Sequence, residues 1–170
     1  MNARTKEFTE KRLFRIHIGL AAFVYFLDQV TKFLILNALE PYGSVYVTSF
    51  FNLVLIFNKG VAFGLFAESR FDANTIFLIT NIVIVLLFAI GVWFLRSKRS
   101  QSVTAVWLII GGALGNITDR VIHGHVIDFI DIHFGDWHYA TFNVADAAIS
   151  IGAILVVMEL LNIRIFFRNG

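Results

Sequence analysis

No cysteine occurs in the 170 residues, which excludes disulfides, thiol nucleophiles and cysteine-ligated metals. Charge is scarce too: Asp, Glu, Lys and Arg make up 15% of the chain, against about 25% in soluble domains. No internal repeat, linker or low-complexity tract divides the sequence, and it holds no HExxH helix of the zinc-hydrolase kind. The basic and then apolar start lacks a small-residue cleavage site, so it reads as a retained helix rather than a signal peptide. What the chain has instead is apolar surface. Hydrophobic residues reach 58%, more than one small water-soluble core can hide. The composition predicts one polytopic membrane domain over residues 1–170.

Four segments have the roughly 17–25 apolar residues that cross a bilayer. They are Leu13–Leu36, Thr75–Leu95, Val103–Ile122 and Phe142–Ile163. The third carries Gly111, Gly112 and Gly115, small residues that let helices approach closely in lipid. Arg4, Lys6, Lys11, Arg12 and Arg15 precede the first span. Arg96, Lys98 and Arg99 join the second to the third, and Arg164 and Arg168 follow the fourth. Ten of the 14 Lys and Arg residues therefore fall on one side, and the positive-inside rule makes that side cytoplasmic, with both termini inside. Topology accounts for the pI near 9.1 without any nucleic-acid partner.

Residues 41–70 and 119–141 then face outward. SVYVTSFFNLVLIFNKGVAFGLF, within the first of these, is rich in β-branched and aromatic residues and predicts short strands against the outer membrane surface. The second collects most of the polar residues.

TFNVADAAISIGAILVVMELL (141–161) is apolar enough to span, yet it opens with Asp146, and a charge inside a membrane is expensive. Asp128 lies in GHVIDFIDIHF, just after the third span. Antiparallel helices joined on one side bring the two acids together. Two carboxylates sharing one proton can activate water against a carbonyl, as aspartic proteases do. A structural reading stands beside this one. Asn143 and Asp146 have N-cap and N3 spacing, so Asp146 can close a capping box, and Asp128 can be a solvated loop residue.

GGALGNITDRVIHG (111–124) puts Asn116 and Arg120 on one helical face, with Asp119 in reach of either. Arg120 is suited to a phosphate, a carboxylate or backbone carbonyls, or else to a network pinning helix ends. In DQVTK, Asp28 and Lys32 form an i,i+4 pair that reads as structural, at the membrane interface. In NKGVAFG (58–64), Asn58 offers either a turn or a contact to substrate backbone. His123, His125, His133 and His138 invite zinc, although histidines in outer loops are more often solvated. Glu159 reads as pairing or snorkelling near the cytoplasmic end. A proton-coupled transporter using Asp28, Asp128, Asp146 and Glu159 is the rival from another class, but its acids would have to span the membrane rather than cluster at one face.

DQVTK, NKGVAFG, GGALGNITDR, VIDFID and FNVADAAISIG, in this order over residues 20–160, resemble the motif set of the bacterial lipoprotein signal peptidase (signal peptidase II) family. The resemblance implies a mainly α integral membrane fold of four transmembrane helices with a small outward-facing β-sheet cradle, in the bacterial inner membrane. It implies an aspartyl endopeptidase that needs no cofactor or metal. The substrate would be a prolipoprotein, cut on the N-terminal side of its diacylglyceryl-modified cysteine. It further implies that Asp128 and Asp146 are the catalytic pair, that Asn58, Asn116, Arg120 and Asn143 bind substrate or brace the dyad, and that Asp28, Lys32 and Asp119 support the fold. Membrane lipids would be the other partners, and the enzyme would act as a monomer near the outer face.

Overall fold

In the computed structural model, residues 3–60, 73–95 and 101–163 are described. The elements are α1 (Ala3–Ala38), β1 (Ser44–Thr48), β2 (Phe51–Asn58), α2 (Ala73–Leu95), α3 (Gln101–His123), β3 (Val126–Phe134), β4 (Trp137–His138) and α4 (Val144–Leu160). The basic residues expected between the second and third spans, and after the fourth, lie outside the described residues, as do Val61–Gly64 of NKGVAFG.

The fold is mainly helical, with a small antiparallel sheet in the order β1-β2-β3-β4. Two helical stretches, Phe8–Ala38 and Ser102–His123, are long and apolar enough to cross a membrane. α1 extends beyond the Leu13–Leu36 expected from hydropathy, because apolarity marks what lipid covers while helix propensity sets where a helix stops. α4 ends earlier, at Leu160 rather than Ile163.

Polarity is inverted relative to a water-soluble fold. Phe23, Phe26 and Phe33 are each more than 60% exposed, while Asp28, Lys32, Asp119, Asp128 and Asn143 are at most 2% exposed. Apolar residues outside and satisfied polar residues inside suit a bundle whose solvent is hydrocarbon.

α3 is the central helix and touches α1, α2 and α4. Its glycines make that possible. A Cβ at Gly111 would sit 2.6 Å from the Ala21 carbonyl oxygen of α1, and one at Gly112 would strike the Ala145 carbonyl of α4. At Gly115 it would collide with the Asp28 carboxylate. GGALG is therefore the contact strip on which α1 and α4 close against α3.

β1 and β2 form within residues 41–70 as anticipated, and residues 119–141, noted in the sequence for their polar residues, also supply strands, β3 and β4. VIDFIDIHF lacks the clean apolar–polar alternation of a half-exposed strand because its first four residues are all buried. β3 pairs with β2, setting Ile56 opposite Asp128 and Asn58 opposite Val126. A register shift between Leu53 and Ile56 puts an extra residue on β2 beside that pair, a bulge of the kind that re-aims side chains. Ile35, Leu55, Ile127 and Phe129 form the apolar cluster that seats the sheet on the end of α1. Beyond β4, the Ile130 and Phe142 backbones exchange hydrogen bonds of 2.8 and 3.1 Å, which ties the start of α4 to β3.

Candidate active site

That last tie decides where the two acids meet. Asn143 is the N-cap of α4: its side-chain oxygen accepts the Asp146 N–H at 2.8 Å, and its own N–H donates to Asp146 Oδ2 at 3.2 Å. The capping box read from spacing is present. It uses one carboxylate oxygen of Asp146 and leaves the other free to accept from Asn116 Nδ2 at 2.8 Å.

Asp128 is 2% exposed on β3, so the alternative of a solvated loop residue is overturned. A strand paired on β2 and tied to the entry of α4 leaves no room for it to face water. Asn143 Nδ2 donates to Asp128 Oδ1 at 2.8 Å, and Asn58 Nδ2 donates to Oδ2 at 2.8 Å. Asn143 thus holds both acids, Asp146 through its cap and Asp128 through its amide. Asn58, exposed at the end of β2, has its own oxygen fixed by the Gly60 N–H at 2.8 Å. Gly60 has φ +79, a conformation that favours glycine, and a Cβ there would also run into the Phe77 ring of α2. Burial, with the Asp146 charge adding to it, pushes the Asp128 carboxyl up to about 6, although the Asn58 and Asn143 amides pull the other way.

Beneath the acids lies a buried charge network. Lys32 Nζ is 2.8 Å from Asp28 Oδ2, 2.7 Å from Asp119 Oδ2 and 3.0 Å from Asn116 Oδ1. Asp28 Oδ1 accepts the Ala145 N–H at 2.8 Å, satisfying a donor in the first turn of α4. Asp119 accepts the Ile127 N–H at 3.1 Å, just before Asp128. The Asp28–Lys32 pair read from spacing is present, and it is buried within the protein. Asp119 turns to Lys32, whereas the sequence put it in reach of Asn116 or Arg120.

Arg120 faces the other way, toward α2. Its Nη1 donates to Asn74 Oδ1 at 3.2 Å, and the guanidinium lies 5.2 Å from the Phe77 ring centroid. Its Nε is buried and has no partner among the described residues. Arg120 thus keeps an unmatched donor near Asp128 and Asp146, whose charges both act on it.

Three residues of the site escaped sequence reasoning. Asn74 and Phe77 seat Arg120, and Gln29 donates to Asp28, Asp119 and the Gly115 carbonyl at 3.1–3.3 Å. Gln29 carried a usable signal, a polar amide within an apolar span. Asn74 and Phe77 carried none, because their role depends on how α2 packs on α3.

The histidines sit apart from the acids in two groups. His125 lies against Phe57 at 4.5 Å and 5.9 Å from His123. His133 stacks on His138, which is 2.8 Å from Asp131. Among the described residues, no three His, Asp or Glu are grouped to hold a metal. Of the two readings of Glu159, pairing holds: its carboxylate accepts the Ser102 N–H at 2.9 Å, where a negative charge complements the N-terminus of α3.

The family profile described as Signal peptidase (SPase) II matches residues 20–162, which include every residue of the dyad and its supports. A lipoprotein signal peptidase of Janthinobacterium sp. (strain Marseille) is 45% identical over 146 residues, 84% of this chain and 86% of that protein. One from Pseudoalteromonas atlantica is 43% identical, with 84% and 87% covered. Among solved structures, a bacterial membrane enzyme determined by the in meso method at 1.9 Å superposes with a TM-score of 0.74 at 33% identity, covering 86% of this chain and 92% of that one. A second, at 2.3 Å, gives 0.73 at 31% identity, covering 91% and 93%. On the matched length and these identities, the chain belongs to the signal peptidase II family.

Proposed function

We propose that Asp128 and Asp146 are the catalytic dyad of a four-span aspartyl endopeptidase. It removes the signal peptide from diacylglyceryl-modified prolipoproteins, on the N-terminal side of the lipidated cysteine. The observation that carries this reading is the single Asn143 side chain bonded to both acids. In the reaction, a water between the carboxylates gives a proton to the ionised acid and attacks the scissile carbonyl, while the protonated acid donates to the carbonyl oxygen. Asp128, whose pKa is raised by its surroundings, holds the shared proton. Asn116 and Asn58 fix the outer oxygens of the two acids, and Arg120, held by Asn74, supplies a guanidinium on the α2 side of the site for substrate.

Membrane depth gives the site its substrate. With both termini cytoplasmic, the dyad lies at the outer headgroup level. The acyl chains of a lipidated cysteine hold the adjacent peptide bond at that level, since each buried methylene adds roughly 0.8 kcal/mol of anchoring. A misplacement of about an ångström can cost about a hundredfold in rate. Cleavage of the same prolipoprotein without its diacylglyceryl group, at equal surface density in the same bilayer, is therefore expected to be at least about a hundredfold slower. Equal rates would mean that only the peptide is read.

The pH dependence tests the assignment of the shared proton. A raised carboxyl pKa keeps Asp128 protonated below about 6, so kcat/KM, which reports the free enzyme, is expected to fall as pH rises through that region. The Asn58 amide favours the ionised form. Asn58→Ala should therefore lift the pKa further and move this descending limb to higher pH. A limb that stays in place or moves down removes Asn58 from contact with the proton-holding acid.

A further inference from the structure

We propose that Asn74 and Phe77, at the start of α2, are positioning residues of the reaction, which set Arg120 and Asn58 in register on the dyad. The inference deepens the protease reading above and rests on it. Asn74 and Phe77 stand three apart, so they share one face of α2. Asn74 turns both ends of its side chain to a single residue. Its Oδ1 accepts from Arg120 Nη1 at 3.2 Å, and its Nδ2 donates to the Arg120 carbonyl at 3.4 Å. An amide bonded to both the guanidinium and the backbone of one arginine fixes the direction in which that side chain extends.

The Phe77 ring extends the same control to Asn58. The guanidinium lies 5.2 Å from the ring centroid, and a Cβ at Gly60 would strike the edge of the same ring. The Gly60 N–H holds Asn58 Oδ1 at 2.8 Å, and Asn58 Nδ2 donates to Asp128 Oδ2 at 2.8 Å. Arg120 lies in the last turn of α3 and Asn58 is the last residue of β2. Neither element fixes the distance between them, whereas a ring that touches Arg120 and Gly60 does. Attachment of α2 to the bundle does not depend on these groups. An apolar hold on α3 lies further along, where Phe88, roughly three turns beyond Phe77, packs against Val106 and Ile110. Removing the Asn74 amide leaves that contact in place and releases the guanidinium. An amide oxygen and an aromatic face are groups that a guanidinium selects, and plain helix packing would need neither.

The experiment is a double-mutant cycle on cleavage of a lipidated prolipoprotein by the purified full-length protein, with a thermal melt of every variant. Asn74→Ala is expected to lower kcat/KM about tenfold or more, the worth of one hydrogen bond to a charged group, while melting close to wild type. In an Arg120→Ala background the same change should cost less than about twofold, because the residue it acts through is gone. Arg120→Lys, which keeps the charge and loses the planar fork, takes that place if Arg120→Ala does not fold. Phe77→Leu keeps apolar bulk without a ring face, and should lower kcat/KM by a similar factor. It should also loosen Gly60 against Asn58 and so move the descending limb of the pH profile upward, as Asn58→Ala does. Phe77→Tyr, which keeps the ring, should recover most of both effects. Equal losses from Asn74→Ala with and without Arg120 overturn the proposal, since the amide would then act elsewhere. So does an unmoved limb in Phe77→Leu, or activity that falls only in step with the melting temperature. Wild type and Asp146→Asn cleaving alike would sink the protease reading and this proposal with it. The other adverse outcomes, obtained beside an inactive Asp146→Asn, sink this proposal alone.

Discussion

Asp128→Asn and Asp146→Asn are each expected to fold, insert and lose at least about a thousandfold in turnover. The size of the loss follows from the chemistry. One carboxyl must take a proton from water and the other must give one, and an amide can do neither. The surroundings explain why the fold survives. Asparagine has the shape of aspartate, and its oxygen can keep the 2.8 Å hydrogen bond that Asn143 donates to residue 128 or the 3.2 Å bond that the Asn143 N–H donates to residue 146. In each variant one amide donor meets another, Asn58 in the first and Asn116 in the second. Such a mismatch costs about 1–3 kcal/mol, enough to lower the melting temperature but not to unfold a domain. Cleavage of a lipidated prolipoprotein by each purified variant, alongside its thermal melt, is the measurement. Near-normal turnover in a folded variant would remove that acid from the dyad.

Lys32→Met is expected to damage the fold itself. Among the described residues, Lys32 is the one cation within hydrogen-bond reach of Asp28 and Asp119, and all three are at most 2% exposed. Removing it strands two buried carboxylates, and breaking a buried ion pair from one side costs about 3–5 kcal/mol. The same change takes a donor from Asn116, so any protein that still folds should hold Asp146 less firmly and cleave more slowly. The compensated variant Lys32→Met/Asp28→Asn/Asp119→Asn is expected to recover part of the stability, since the stranded charges are gone. Thermal unfolding of the three proteins in one detergent decides the matter. A melt of Lys32→Met equal to wild type would mean the carboxylates find water or another partner, and the buried network would not be what holds α1, α3 and α4 together.

Local chemistry in this protein was legible from the sequence alone. The apolar runs marked its helices, because hydrocarbon selects for composition irrespective of partners. The i,i+4 pairing of Asp28 with Lys32 and the capping box of Asn143 with Asp146 followed from helical spacing, since both are complete within one or two turns. The glycine strip of α3 could be named before its neighbours were known. The resemblance of five short motifs pointed to the family and to its two acids.

Tertiary structure decided which of those groups meet. Asp128 read equally well as a loop residue until β3 was seen paired on β2, and Asp131 and the histidines near it looked no different by spacing. Asp119 chose Lys32 over Arg120 because the close approach of α1 at Gly111 and Gly115 brings that ammonium within 2.7 Å. Arg120 was left to Asn74, 46 positions away, and the first turn of α4 to Asp28, 117 positions away. Contacts at such separations depend on the register of β2 against β3 and on how closely the helices cross. No short window of sequence encodes either, because each is set by the packing of whole elements against one another.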